Sequence, residues 1–536
     1  MLLLAAFVLS MAFPGFVTAH GIGILAFVAL IPVFMVVRNT RWSLVWLYGF
    51  IFGFAYYMFF NYWLKTFHPL AILIVPIIKG SEMVLLFLAL KGADSLFRKH
   101  GYILQSLIWV SYAYLLENWF AGYPYGTIAY AAYNMHAFVQ SADIFGIWGI
   151  ILLMVLPQAF LGRIFMDKLR DSEGTSIRMF FRTELPVVIV YAVLLAADLI
   201  YGFVKESEWR NREPERIWRV AAVQHNHDSW KGGLQTYRKN FNNLRRYSLE
   251  AIRENPDIVI WSETAFVPSI DWNRQFPSER NEGMRALIDD FVSFGEELSV
   301  PLLTGNADGE AKDPDYPEGY FEDGSINRKD YNSVILFDDG RIVEKYRKQH
   351  LVPFTEHFPY EKQLPWLYNL LLANDYNWWE KGTEPVVFET DGVHFSTPIC
   401  FEDVFGYLPA NFVKNGADVI VNMTNDSWSG SVAAARQHQY IATFRSIETR
   451  KSTVRGTNSG MSCMITPDGR IHEEMEPFKA GYHIYEVPVY DHSEGNTFYV
   501  EHVDLFARIA VGISGVLLSI GAAMRIVEVC RKKKER

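Results

Sequence analysis

Eight apolar stretches, each close to the ~20 residues that cross a bilayer's hydrocarbon core, crowd the two ends of this 536-residue chain. They run over about 2–19, 21–37, 42–63, 69–90, 102–120, 143–161, 185–204 and 505–526. Such a pattern constrains the fold to helices in lipid, because an apolar solvent leaves backbone groups no partners but their own. The first stretch lacks a basic start and offers only Val17-Thr18-Ala19 as a weak cleavage site, so it is expected to be kept as a span. From 206 to 503 the sequence reads as ordinary globular protein, so the 50% hydrophobic average blends two populations. The expected organisation is a seven-span bundle over 1–205, an extracytoplasmic folded domain over 206–503, and an eighth span with a basic cytoplasmic tail over 504–536.

Charges in the short loops set the expected orientation. With the N-terminus in the cytoplasm, the inside loops carry Arg38 and Arg41, then Lys91, Arg98 and Lys99, then Arg163, Lys168, Arg170, Arg178 and Arg182. The tail Arg531-Lys532-Lys533-Lys534-Glu535-Arg536 falls on the same side, and Lys65 is the main basic residue outside. In a bacterium this arrangement means a multi-pass inner-membrane protein with residues 206–503 in the periplasm. Trp119, Tyr123, Tyr125, Tyr130 and Tyr133 suit the headgroup level. Lys79 and Glu82, at i and i+3 within the fourth stretch, read either as a structural ion pair or as a lipid-headgroup contact. A transporter would need more such charges and an internal repeat. A net charge of -9 without a basic-aromatic stripe argues against nucleic acid as a partner.

The middle region alternates strand and helix signals. Buried strands are expected at 219–224, 257–261, 301–305 and 418–422, with helices near 234–254, 281–298 and 432–450. Hairpins are expected to turn at Asp338-Asp339-Gly340, Asp391-Gly392 and Asp468-Gly469. The sum is a mixed sheet covered by helices.

Three cysteines, at 400, 463 and 530, cannot build a disulfide framework. Cys463 lies in an alternating apolar run and reads as core; Cys530 abuts the basic tail. Cys400, in Thr397-Pro398-Ile399-Cys400-Phe401-Glu402-Asp403, is either a buried structural thiol or a nucleophile at a strand end. Glu263 and Lys348, taken singly, are equally compatible with solvated loops. His225-Asn226-His227 has no third ligand in register, so no metal is expected.

Taken together, the motifs change the reading. Trp261-Ser262-Glu263-Thr264-Ala265, Tyr331-Asn332-Ser333, the run from Lys348 to Glu356, and Ile399-Cys400-Phe401-Glu402 resemble the nitrilase superfamily. With Asn425–Gly430, Arg455–Gly460 and the apolar spans, the chain is similar, over nearly its whole length, to the bacterial apolipoprotein N-acyltransferases. That resemblance implies a membrane α-helical bundle joined to an α/β nitrilase-like αββα sandwich, a thioester acyl-enzyme, and neither metal nor cofactor. It implies Glu263 as general base, Lys348 as oxyanion partner and Cys400 as nucleophile. Glu356 and Glu402 match supporting acidic positions, and Trp230 and Trp428 match tryptophans of the site. The implied partners are a phospholipid donor such as phosphatidylethanolamine and diacylglyceryl lipoproteins as acceptors. Phe401 stands where tyrosine is common, Gly456 where Ser or Ala is usual, and 308–330 is long. Segment 364–372 reads as a core helix or, preferably, as an interfacial lid. A membrane-anchored amidase and a non-catalytic ligand-binding receptor or transporter are the rival functions.

Overall fold

The computed structural model describes all residues except 68, 120–121, 171–182, 279–280, 317, 373–377, 491–494 and 535–536. The end of the fifth predicted span at Phe120, the loop residues Arg178 and Arg182, and Glu535 and Arg536 of the tail lie outside the described residues. Backbone contacts divide the chain into two units. The first comprises Met1–Arg212, Ser431–Glu448 and Thr497–Arg536; the second comprises Glu213–Gly430 and Thr449–Asn496.

Five helices of the first unit are long and apolar enough to cross a membrane: Trp42–Phe60, Ala71–Leu96, Ile147–Leu169, Leu185–Asn211 and Leu505–Glu528. The other three expected spans form shorter helices, Leu2–Met11, Ile31–Asn39 and Gly101–Glu117. The first of these stops just before Pro14-Gly15; at 1.5 Å per residue its ten residues rise about 15 Å, half a hydrocarbon core. Small residues decide how two of the long helices meet. A side chain at Gly49 would lie 2.8 Å from the Met83 carbonyl oxygen, and one at Gly53 would lie 2.6 Å from Met83 Cγ. This small-xxx-small stripe lets Trp42–Phe60 and Ala71–Leu96 approach backbone to backbone. Lys79 and Glu82 pair on the second of these helices at 2.9 Å, with the ammonium 5.8 and 5.4 Å from the ring centres of Tyr57 and Tyr123.

The helix Val432–Thr449, expected within the 206–503 domain, groups almost entirely with the first unit. Gln437 donates to the Pro14 carbonyl and accepts from Trp63 Nε1, and Tyr440 stacks on Tyr133 and bonds His20. Its buried Arg445–Glu448 pair closes at 2.9 Å.

The second unit holds two six-stranded sheets. The first contains β1 (Arg216–Gln224), β2 (Ile258–Ile260), β3 (Leu302–Ala311), β4 (Arg328–Asp338), β5 (Arg341–Arg347) and β12 (Gly481–Val489), in the order β12-β1-β2-β3-β4-β5. The second contains β6 (Phe388–Thr390), β7 (Val393–Ser396), β8 (Val419–Thr424), β9 (Ser452–Thr457), β10 (Cys463–Ile465) and β11 (Ile471–His472), in the order β11-β10-β9-β8-β7-β6. Within each sheet three central strands are parallel: β1, β2, β3 and β7, β8, β9.

Period-2 alternation explains the layering. On β1, Trp218, Val220 and Ala222 join Phe395, Val421, Met423 and Val454 of the second sheet in one core. The intervening Ala221 and Val223 face Phe241, Leu244, Phe291 and Phe294 of the helices Leu234–Ala251 and Glu282–Glu297. The three expected hairpins form, with Asp339 and Gly340 and Asp391 and Gly392 both at positive φ, as tight two-residue turns require.

Candidate active site

Glu263 lies three residues beyond the end of β2, where the strand leaves the sheet through Thr264 at φ +48°. Its Oε1 accepts from Asn332 Nδ2 at 2.9 Å and from Lys348 Nζ at 3.2 Å, and its Oε2 accepts the Asn425 N–H at 3.1 Å. Lys348 directly follows β5 and is 1% exposed. Its backbone N–H bonds the Asn332 carbonyl at 2.8 Å, which extends the β4–β5 pairing by one residue and fixes the ammonium's origin. A turn through Phe354 at φ +61° returns Glu356 to the same ammonium, 2.8 Å from Nζ. Glu356 Oε1 also accepts from Asn332 at 3.2 Å, and its Oε2 accepts the Val352 N–H at 2.8 Å. One buried cation is thus shared by two carboxylates, with Asn332 bridging them.

Cys400 opens a short 3-10 turn, Cys400–Val404, four residues beyond β7. It adopts φ +50°, a left-handed conformation that costs a residue with a Cβ about 1–2 kcal/mol. Asn422 of β8 holds the turn by donating to the carbonyls of Pro398 and Cys400 at 3.1 and 3.3 Å. Glu402, on the same turn, is fully buried and accepts from Tyr346 OH at 2.9 Å and from the N–H groups of Ile399, Gln349 and His350 at 2.7, 2.7 and 2.9 Å. It therefore clamps the residues after Lys348 to the Cys400 turn.

Burial and then the Glu263 charge push the Cys400 thiol well above its usual range, and Lys348 pulls it partly back. Burial works against the charge on Lys348, but Glu263 and Glu356 outweigh it and hold the ammonium well above its ordinary value. Burial raises the Glu402 carboxyl to about 7, against the pull of Lys348 and the N–H donors. The arrangement is a protonated thiol beside a carboxylate and a permanent cation. Chemically it can remove the thiol proton and stabilise a developing oxyanion.

Trp230 is 64% exposed, and Trp428 is half-buried in the turn Ser427–Ser429. Their segments are joined: Ser229 Oγ bonds Ser427 and donates to Asn425 Oδ1 at 3.1 Å, and Asn425 is the residue that holds Glu263. Phe401 is buried, and Gly456 on β9 leaves space for Ile260, whose Cδ1 would lie 2.9 Å from a Cβ there. The long 308–330 segment is pinned by buried Asn327, which donates to the Asp313 and Glu318 carbonyls at 3.1 and 3.2 Å. In segment 364–372 the helix Pro365–Leu372 buries no residue, with Trp366 66% exposed, so it is not a core helix. The rings of His225 and His227 stack 6.0 Å apart.

Four contributors had no role assigned from sequence: Asn332, Asn422, Tyr346 and the buried Asp403–Arg455 pair. Asn332 was visible inside Tyr331-Asn332-Ser333, but nothing local says that an asparagine bridges two distant carboxylates.

The chain matches the family Carbon-nitrogen hydrolase over residues 219–493 and the Apolipoprotein N-acyltransferase N-terminal domain over residues 5–160. It is 36% identical over 482 residues to apolipoprotein N-acyltransferase 1 of Treponema denticola, covering 89% of this chain and 87% of that one. It is 35% identical over 497 residues to apolipoprotein N-acyltransferase 1 of Treponema pallidum, covering 91% and 89%. A solved amidase from Nesterenkonia sp. overlaps 52% of this chain and 92% of its own, at 16% identity and a TM-score of 0.35.

Proposed function

This chain belongs to the apolipoprotein N-acyltransferase family, and we propose that it moves a fatty acyl group from a phospholipid through a Cys400 thioester to the α-amine of a lipoprotein's N-terminal diacylglyceryl-cysteine. It is an acyltransferase of the membrane, with a lipid donor and a lipoprotein acceptor. The observation that carries the mechanism is the buried Lys348 ammonium shared by Glu263 and Glu356 and acting electrostatically on the Cys400 thiol.

Glu263 takes the thiol proton, and the thiolate attacks the ester carbonyl. Lys348 faces the oxygen that gains charge; one such donor is worth about 3–4 kcal/mol in other enzymes. Its two carboxylate partners keep it protonated throughout. The carbonyl carbon–oxygen bond breaks, the leaving lysophospholipid alkoxide takes the proton from Glu263, and the thioester remains. The lipoprotein α-amine then attacks, Glu263 removes its proton, and the departing thiolate takes it back. Two half-reactions at one sulfur give ping-pong kinetics.

The donor is phosphatidylethanolamine in this reading, and the enzyme sits in a bacterial inner membrane with the second unit in the periplasm. The clustering of basic loop residues at one end of the bundle supports that orientation. Arg38 pairs with Asp94 and Asp167 at 2.6 and 2.7 Å, Lys91 donates to the Val37 carbonyl at 2.9 Å, and Arg163 to that of Lys99 at 2.8 Å. The exposed Pro365–Leu372 helix supports an interfacial lid.

The test is transfer in vesicles holding phosphatidylethanolamine and a synthetic diacylglyceryl-cysteine peptide. The expected product is an amide-linked third acyl chain on the peptide, with equimolar lysophospholipid. Release of free fatty acid without peptide acylation would favour the amidase-like hydrolase instead.

A further inference from the structure

Beneath the Cys400 turn lies an ion network that the mechanism above leaves unused. Arg455, on β9, is fully buried. Its Cα partner across the sheet is Asn422, the residue that holds the Cys400 carbonyl. Arg455 Nη1 donates to Asp403, which sits on the Cys400 turn, and Nη2 lies 3.9 Å from Asp426 Oδ2. Asp403 is 1% and Asp426 2% exposed. Asp426 adjoins Asn425, whose N–H holds Glu263. Its carboxylate is wedged against Gly460, where any Cβ would collide with it.

One guanidinium thus ties the turn carrying the thiol to the loop carrying the Glu263 donor. A planar fork with several donors suits two carboxylates on different segments, which a lysine ammonium does not. We propose that Arg455 is a positioning residue for acyl transfer: it cross-links Asp403 to Asp426 and so fixes Cys400 relative to Glu263. This rests on Cys400 being the nucleophile.

The network also carries charge. The charged groups that act on the thiol are Glu263 beyond β2, Lys348 beyond β5 and Asp426 beyond β8; Glu356 pairs with Lys348, and Glu402 and Asp403 share the Cys400 turn. Asp426 is among those that push the thiol upward. Arg455 brings a positive charge to Asp403 and Asp426, so removing it makes the field near the sulfur more negative.

The experiment measures two quantities on the full-length protein across pH: iodoacetamide alkylation of the Cys400 peptide, read by mass spectrometry, and single-turnover thioester formation. Arg455→Met is expected to slow thioester formation about tenfold or more, through lost alignment. It is also expected to move the alkylation midpoint to higher pH by about half a unit or more. Arg455→Lys should restore the midpoint while leaving the rate reduced. Asp426→Asn should move the midpoint to lower pH, and it decides the question if Arg455→Met does not fold. A folded Arg455→Met protein with wild-type rate and midpoint would overturn the proposal, as would an unmoved midpoint in Asp426→Asn. Cys400→Ala separates the two layers: thioester persisting there sinks the nucleophile assignment, whereas a null Arg455 result with thioester lost in Cys400→Ala sinks this inference alone.

Discussion

Glu263 has each carboxylate oxygen committed to a different donor set, Asn332 with Lys348 on one side and the Asn425 N–H on the other. That geometry predicts a dissociation in Glu263→Gln. The amide cannot accept the thiol proton, so single-turnover thioester formation should fall ~10²–10⁴-fold. Yet removing its negative charge lowers the thiol pKa, so iodoacetamide should alkylate Cys400 faster at a given pH than in wild type. The sign follows from the wild-type thiol, which is held above the ordinary cysteine value of ~8.5, so its thiolate fraction is small at neutral pH and grows as pH rises. Equal loss of both activities would point to misfolding, which a thermal melt checks. At this scale Glu263, Lys348 and Cys400 were legible as candidates only through the family resemblance that their runs carry together. Their tethers were not. Asn332, Tyr346 and Arg455 reach partners 69, 56 and 52 residues away in sequence, and only folding brings them together.

Helices and hairpins differ in how much of them could be read in advance. The Asp-Gly turns at 339–340 and 391–392 were legible because Asp and Gly tolerate two successive positive-φ positions, and β1 was legible as a buried strand, though not which of its residues face which layer. Helix lengths in the bundle were not, since hydropathy marks where lipid is tolerated but not where Pro14-Gly15 ends a helix. The Gly49–Gly53 stripe carries a prediction for its element pair. Gly53→Leu drives a side chain into Met83 and should lower the melting temperature and the yield of folded protein in detergent. Gly512→Leu, where a Cβ meets nothing within 4 Å, is the matched control and should change neither. The exposed Pro365–Leu372 helix carries another. Trp366→Asp should reduce acyl transfer from vesicle phospholipid while sparing thioester formation from a short-chain, water-soluble acyl donor. Loss of both would mean that the helix supports the site itself.

On the scale of the whole molecule, the two kinds of sequence fit one reaction: in the proposed mechanism the Cys400 site forms an acyl-enzyme, in a chain whose apolar helices suit a membrane where lipid-bearing substrates reside. The basic residues gathered at one end of the bundle predict that a periplasm-dependent reporter works when fused after residue 205 and fails when fused after Arg536. The opposite result would reverse the orientation. The Val432–Thr449 helix, read from sequence as part of the 206–503 domain and lying within the matched Carbon-nitrogen hydrolase region, groups by backbone contacts with the first unit, where Gln437 and Tyr440 find partners. Nothing in its own composition announces those partners. The most direct test of the account is mass spectrometry of the Cys400 peptide after exposure of the full-length protein to phosphatidylethanolamine vesicles without acceptor. The account predicts a mass gain of one fatty acyl chain on Cys400, removed by hydroxylamine and absent in Cys400→Ala, with Cys463 and Cys530 unmodified. An unacylated Cys400, or acylation that persists in Cys400→Ala, would contradict it.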